Sequence, residues 1–382
     1  MRFGLLLAFL FLFSNPSFSQ DTVYARQVIK FLTSKKCYGR GYLKNGLKVA
    51  ARYIVDELKL QNTEPLLASG YYQLFRFNVN TFPGKVKLKI DGKKLTPGSD
   101  FIISPESRQI NGTFSVQKKD SVTYLSQTKE TPLLLQLKKK LTASVAQEAA
   151  DYCQIEVLTK SDYANIRSVE VNIENKLVKD FPNNNLCAFI PGKYNNDSMI
   201  VFSAHYDHLG GIGKRTFFPG GNDNASGVSV LLNLAKYYKT HPPKYKTLFL
   251  FFAGEEAGLV GSHYFTKSNT IDLKKIKFLI NLDLLATGDD GIMVVNGTIH
   301  EKEIALLTNI NTEQQLVKEI KKRGKAKNSD HYWFSEAGVP CFFIYTLGGV
   351  TYYHDVLDKA ETLPLSDYTD VMKLITSFVE RL

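Results

Sequence analysis

The sequence predicts an α/β fold: a mixed, largely parallel central sheet flanked by helices, carrying a β-rich inserted or N-terminal elaboration. Three observations point there. Two segments near the start show helical spacing, a middle stretch shows short alternating runs, and the second half alternates apolar runs of strand length with helical patterns.

The first residues stand apart from the fold. Arg2 gives a short basic start, Leu5 to Phe13 is an apolar run, and Ser17-Phe18-Ser19 offers small residues for cleavage before Gln20. The run is shorter than the roughly 20 residues a membrane span needs. Residues 1–19 therefore read as a signal peptide. The expected product is secreted or periplasmic, with no stable membrane insertion.

From Asp21 to Leu60, apolar residues recur at helical spacing: Val28, Ile29 and Leu32, then Val49, Ala50, Ile54 and Leu58. They predict two helices that open the main domain over residues 20–70. Between Tyr71 and Val178 the texture changes to alternating runs such as Lys85 to Ile90, broken by Asp91-Gly92 and Pro97-Gly98. Residues 71–178 thus read as strands and hairpins, an elaboration without a chemical constellation of its own.

Residues 179–382 carry the main α/β domain. After Pro191-Gly192 come an apolar run at Met199 to Ala204, a helix from Ser226 to Tyr238, apolar Thr247 to Phe252, a helix around Gly258 to Thr266, and apolar Phe278 to Leu282. Such alternation argues for parallel strands. Ile292 to Val295 and Cys341 to Tyr345 add strands, and a helix from about Ser366 to Arg381 closes the chain. No internal repeat interrupts this order.

A hydrophobic content of 44% over 382 residues suits a folded globular chain. The formal charge of +11 includes clusters at Lys138 to Lys140 and at Lys321-Lys322-Arg323. Without a nucleic-acid motif or interleaved aromatics these read as solvated faces, so no nucleic-acid partner is expected. Cys37, Cys153, Cys187 and Cys341 are too widely spaced for a zinc ribbon; disulfides and buried free thiols both remain open. Nothing in the sequence fixes an oligomeric state.

The acidic and histidine residues fall just past the predicted strands. His205-Tyr206-Asp207 follows the first run, Glu255-Glu256 the second, Asp283 ends the third, and Tyr352-Tyr353-His354-Asp355 follows the Cys341 strand. Asp223 sits in the loop Gly220-Gly221-Asn222-Asp223-Asn224-Ala225-Ser226-Gly227, immediately before a helix. Open α/β sheets collect their sites at the carboxyl ends of strands. Amide hydrolysis at neutral pH needs an activated water and a sink for charge on the carbonyl oxygen, and a pair of metal ions supplies both. Two imidazoles and three carboxylates satisfy such a pair, with one carboxylate bridging. Asp207 is placed to hold the His205 ring, and of the adjacent glutamates Glu256 can bind metal while Glu255 moves the proton. Each element alone is commonplace, as a salt bridge, a turn or a solvated face. Their conjunction carries the reading.

These residues resemble metallopeptidase family 28, the two-zinc aminopeptidases, whose relatives include glutamate carboxypeptidase and glutaminyl cyclase. The similar stretches are Ser203 to Gly210, Gly221 to Gly227, Ala253 to Ser262 and Asn281 to Asp283, in the family's order, within residues 185–382. The resemblance implies the zinc aminopeptidase fold and two zinc ions. It also implies that Asp223 bridges, His205 and Asp283 bind one ion, and Glu256 and His354 bind the other. Glu255 becomes the general base, and Tyr353 a hydrogen-bond donor to the oxyanion. Ser329-Asp330-His331 also resembles a family segment and reads as scaffold or pocket wall. The chain departs from the family at 71–178, which is only loosely similar to the protease-associated insertion of many relatives.

The expectation is an exopeptidase acting on peptides, in the first place an aminopeptidase. A dipeptidase or carboxypeptidase would use the same metals, glutaminyl cyclisation would use one zinc, and a non-catalytic binding module would have lost ligands.

Overall fold

The computed structural model describes residues 19–382, apart from 127–130, 160–162, 164 and 195. The signal-peptide reading lies outside the described residues except at Ser19.

Nine strands form the main sheet: β1 (Glu64–Pro65), β2 (Tyr72–Thr81), β3 (Lys176–Ile190), β4 (Met199–His205), β5 (Lys246–Phe252), β6 (Ile276–Leu282), β7 (Ile292–Val295), β8 (Ile320–Arg323) and β9 (Cys341–Thr346). Their order is β1-β3-β5-β4-β6-β9-β7-β8, with β2 also paired to β3. The central block β5-β4-β6-β9 is parallel throughout. β1, β2 and β5 run antiparallel to β3, and β7 antiparallel to β9. The expected mixed sheet is therefore present, parallel at its centre and antiparallel toward its edges.

β4 is buried at every residue, which is why it reads as an unbroken apolar run. Alternate side chains serve opposite faces. Ile200, Phe202 and Ala204 pack in a core that takes residues from α1 (Ser19–Leu32), α2 (Gly46–Leu60), α3 (Gly227–Thr240), α5 (Glu301–Gln314) and α7 (Tyr368–Arg381). Val201, with Leu248, Leu250 and Leu279, faces Phe265 of α4 (Val260–Lys267) and Phe334 of α6 (His331–Glu336).

The middle of the chain folds into two further sheets. One has five strands, running from Phe101–Ile103 through Cys153–Leu158, Leu133–Lys138 and Thr123–Ser126 to Gln117–Lys118. The other has four and is centred on Val86–Ile90 and Ser168–Ile173. Leu88, Val169 and Val171 of one meet Phe101, Leu135 and Ile155 of the other in a separate core. The two ends of the 71–178 stretch, β2 and the start of β3, pair with each other as part of the main sheet, so the separate sheets occupy residues 86–173.

All four cysteines are buried free thiols. Among the described residues, no helix is long and apolar enough to cross a membrane.

Candidate metal centre

Parallel strands bring the predicted residues to one edge. His205 ends β4, Asp283 follows β6, Glu255 and Glu256 follow β5, and His354 lies in the loop after β9. Asp223 arrives from the loop between β4 and α3. That loop turns at Gly220, whose φ is +63° and where a Cβ would stand 2.3 Å from the Asp223 carbonyl oxygen, so glycine is needed. Asn224 ties the loop to the sheet: its Nδ2 donates to the Leu282 carbonyl at 3.0 Å, and its Oδ1 accepts from Gly227 N at 2.8 Å.

The two oxygens of Asp223 face different imidazoles. His205 Nε2 stands 3.3 Å from Oδ1 and 3.4 Å from Asp283 Oδ2. His354 Nε2 stands 3.1 Å from Oδ2 and 3.2 Å from Glu256 Oε2. With bonds of about 2.0–2.1 Å at tetrahedral angles, two ligand atoms on one zinc stand about 3.3 Å apart. All four imidazole–carboxylate distances are near that spacing, and the two triads they outline share Asp223. The ligand atoms of His208, Asp223 and Glu256 also lie within 4.8 Å of one another. However, His208 Nδ1 is 2.6 Å from Glu256 Oε1, a hydrogen-bond distance too short for two atoms on one ion. His208 orients Glu256.

Other groups hold the donors. Glu255 N donates to Asp207 Oδ1 at 3.2 Å; His205 Nδ1 has the Asp207 backbone carbonyl as its hydrogen-bond partner at 3.3 Å, with the carboxylate further off at 3.7 Å. Asp358 receives Asn222 N at 2.7 Å and Asp223 N at 3.1 Å, clamping the Asp223 loop. Ser329 Oγ donates to Asp283 Oδ2 at 3.2 Å. The fully buried Arg40 donates to the carbonyls of Leu32, Tyr206, Pro219, Gly220 and Asp223, which joins the His205 and Asp223 loops to the end of α1. His354 Nδ1 donates to the Ala143 carbonyl at 2.7 Å, which leaves its Nε2 lone pair directed at the carboxylates.

The charges fit cations. Asp207, Asp223 and Asp283 are buried, and the Glu255 and Glu256 side chains are nearly so. Asp283 Oδ1 has no hydrogen-bond partner among the described residues. Such a cluster is costly without compensating charge, and its imidazole and carboxylate donors are those a divalent zinc-type ion accepts. The adjacent glutamates titrate apart. Burial raises Glu255 well above the carboxylate range, Glu256, Asp330 and Asp283 adding to the rise against the opposing pull of His205. Burial and Asp223 act upward on Glu256 too, but His354 and His208 outweigh them and bring it to about 2. Tyr353 stacks on the His354 ring at 3.8 Å and is half exposed at the rim. His331 packs against Phe343 within the scaffold.

Comparison with known proteins decides the family. The model of peptidase family M28 matches residues 185–379, about half of the chain. The chain belongs to peptidase family M28.

Relatives within and around that family are distant. Aminopeptidase YwaD of Bacillus subtilis is 29% identical over 152 residues, 39% of this chain and 32% of that protein. A probable leucine aminopeptidase 2 of Aspergillus oryzae is 36% identical over 80 residues, 21% of this chain and 16% of that protein. These matches span a third or less of each relative. Among solved structures, the zinc aminopeptidase BSAP of Bacillus subtilis superposes with a TM-score of 0.69 at 18% identity, covering 94% of each chain. An Acidobacteriales bacterium glutaminyl cyclase superposes with 0.57 at 16% identity, covering 98% of each. Both share the fold of this M28 chain. Its five ligand candidates are legible in the sequence, and Ser329 is expected there only as scaffold or pocket wall; Arg40, Ala143, His208 and Asp358 carry no expected role. His208 and Asp358 lie close to predicted ligands in sequence, whereas Arg40 and Ala143 reach the centre only through the fold.

Proposed function

We propose that this M28 chain is an exported two-zinc exopeptidase, in the first place an aminopeptidase that releases residues from peptide amino termini. The observation that supports the reading is that one oxygen of Asp223 lies 3.3 Å from His205 Nε2, itself beside Asp283, and the other 3.1 Å from His354 Nε2, itself beside Glu256. When bound, two divalent ions supply an activated water and a positive counter-charge for the carbonyl oxygen.

The chain's own residues do the rest. Glu255, whose Oε2 is 4.0 Å from His205 Nε2, belongs to neither triad and takes the proton of the attacking water, then returns it to the leaving amine. Asp207 holds the His205 ring through its backbone carbonyl, its carboxylate adding charge at 3.7 Å. The Tyr353 hydroxyl, at the rim, hydrogen-bonds the carbonyl oxygen as charge develops on it. The names of the aminopeptidase relatives support the choice of substrate end, and the apolar run at residues 5–13 supports export.

Metal analysis of the purified protein, coupled to digestion of free-amine, N-acetylated and C-blocked peptides, tests this reading. Two zinc equivalents and cleavage confined to free amino termini are expected. Full-rate cleavage of N-acetylated peptides overturns the aminopeptidase assignment in favour of a carboxypeptidase or dipeptidase. One equivalent with pyroglutamate formation favours a glutaminyl cyclase, and metal binding without turnover of either kind favours a binding module.

A further inference from the structure

The strands Leu133–Lys138 and Cys153–Leu158 are parallel neighbours in the five-stranded sheet. A parallel pair needs a crossover connection, usually a helix lying on its own sheet. Here residues 139–152 make the crossover without a helix or strand, and they travel to the metal centre instead. Lys140 Nζ donates to the Thr351 carbonyl at 2.9 Å. Ala143 meets His354 twice: its carbonyl accepts from Nδ1 at 2.7 Å, and its N–H donates to the His354 carbonyl at 3.3 Å. Gln147 Nε2 donates to the carbonyl of Ala257, the residue after Glu256, at 2.8 Å. Leu141 and Ala143 are buried in a small cluster with Ile102, Leu209 and Phe218, which seats the strap.

These contacts converge on one half of the centre. They hold the loop of His354 and the loop of Glu256, the two residues proposed to share one ion, while Asp283 is held separately by Ser329. We propose that the strap Lys140–Gln147 is a positioning element that sets the tautomer and place of His354, and so selectively supports the ion of the His354–Glu256 pair. The inference rests on the two-ion reading above. It gives the β-rich segment a part in the site: anything that shifts its five-stranded sheet is transmitted to one metal position.

The test is zinc content of the full chain in buffers of stepped free zinc, for wild type, Leu141→Ala, Gln147→Leu and the volume-conserving Leu141→Met. Circular dichroism and the unfolding midpoint of the zinc-free forms accompany it. Removing a partner that orients a ligand costs about 10- to 100-fold in metal affinity. Leu141→Ala and Gln147→Leu are therefore expected to lose one equivalent at ten or more times the free zinc that empties it in wild type, with the other equivalent unchanged. Leu141→Met restores the wild-type profile. If wild type holds fewer than two equivalents, the two-ion reading itself falls. If wild type holds two and the variants keep both unchanged, or lose both in parallel, the strap has no selective role and the inference is overturned. Gln147→Leu decides the matter should Leu141→Ala not fold.

Discussion

His208 Nδ1 lies 2.6 Å from Glu256 Oε1 and donates to it, while the other oxygen of Glu256 faces His354 Nε2 at 3.2 Å. The carboxylate is thus presented by one histidine to a site formed with another. His208→Ala is expected to leave both sites formed but to weaken binding at the Glu256–His354 pair by about 10- to 100-fold, measured by chelator competition. Complete loss of one zinc at saturating metal would instead make His208 a ligand.

Glu255 stands beside the two triads without closing either. Glu255→Gln keeps the shape and is expected to retain both zincs while turnover falls by about 10²–10⁴-fold, the range for removing a proton carrier. Metal content and kcat on a free-amine peptide are to be compared on the same preparation. Near-normal kcat would remove Glu255 from the mechanism.

Asp223 offers an oxygen to each triad, so its loss is expected to act on both. Asp223→Ala should release the two ions together on one titration curve. Separate release, with one site at wild-type affinity, would contradict the bridge.

What the sequence made legible follows from where each residue acts. His205, Glu256 and Asp283 follow runs whose apolar character comes from burial on both sheet faces, so strand ends and ligands were visible together. Arg40 was not visible, because it works on carbonyls of residues up to 183 positions away, and backbone acceptors leave no trace in side-chain identity. Ala143 escaped for the same reason. Among the elements that went unread, three show why. α5 buries only Ile304, Leu307 and Ile310, a thin stripe; β8 is a basic edge strand without apolar alternation; α6 spans six residues. The alternating texture of 71–178 was correctly seen as strands, but alternation cannot say which sheet a strand joins, and β2 joins the main one.

Arg40 is buried and its guanidinium donates to five carbonyls of three segments. Arg40→Met would remove that donor from all five carbonyls, of which Gly220's keeps Ala225 N at 3.3 Å, and each buried group left unsatisfied costs about 1–3 kcal/mol. The zinc-free protein is expected to lose at least about 3 kcal/mol in denaturant unfolding, with lysine recovering only part, because one ammonium offers three donors without the planar fork. A loss below about 1 kcal/mol would mean the loops hold their places unaided.

His331 gives the pH dependence away from the metal ligands. Its ring is fully buried against Phe343, and neither nitrogen makes a well-formed hydrogen bond among the described residues. Burial pushes its pKa down to about 4, against the weaker upward pull of the nearby Ser329 and Ala326 carbonyls. The unfolded chain takes up this proton near the ordinary value of about 6.5. Between those values the unfolded state binds more protons than the folded one, so stability falls as pH drops below about 6.5 and the loss levels off below about 4. A separation of about 2.5 units corresponds to about 3 kcal/mol. His331→Asn cannot titrate, so the difference in unfolding free energy between wild type and variant should shift in the variant's favour by up to that amount from pH 7 to pH 4. A difference that stays constant across this interval would show that the ring titrates alike in both states.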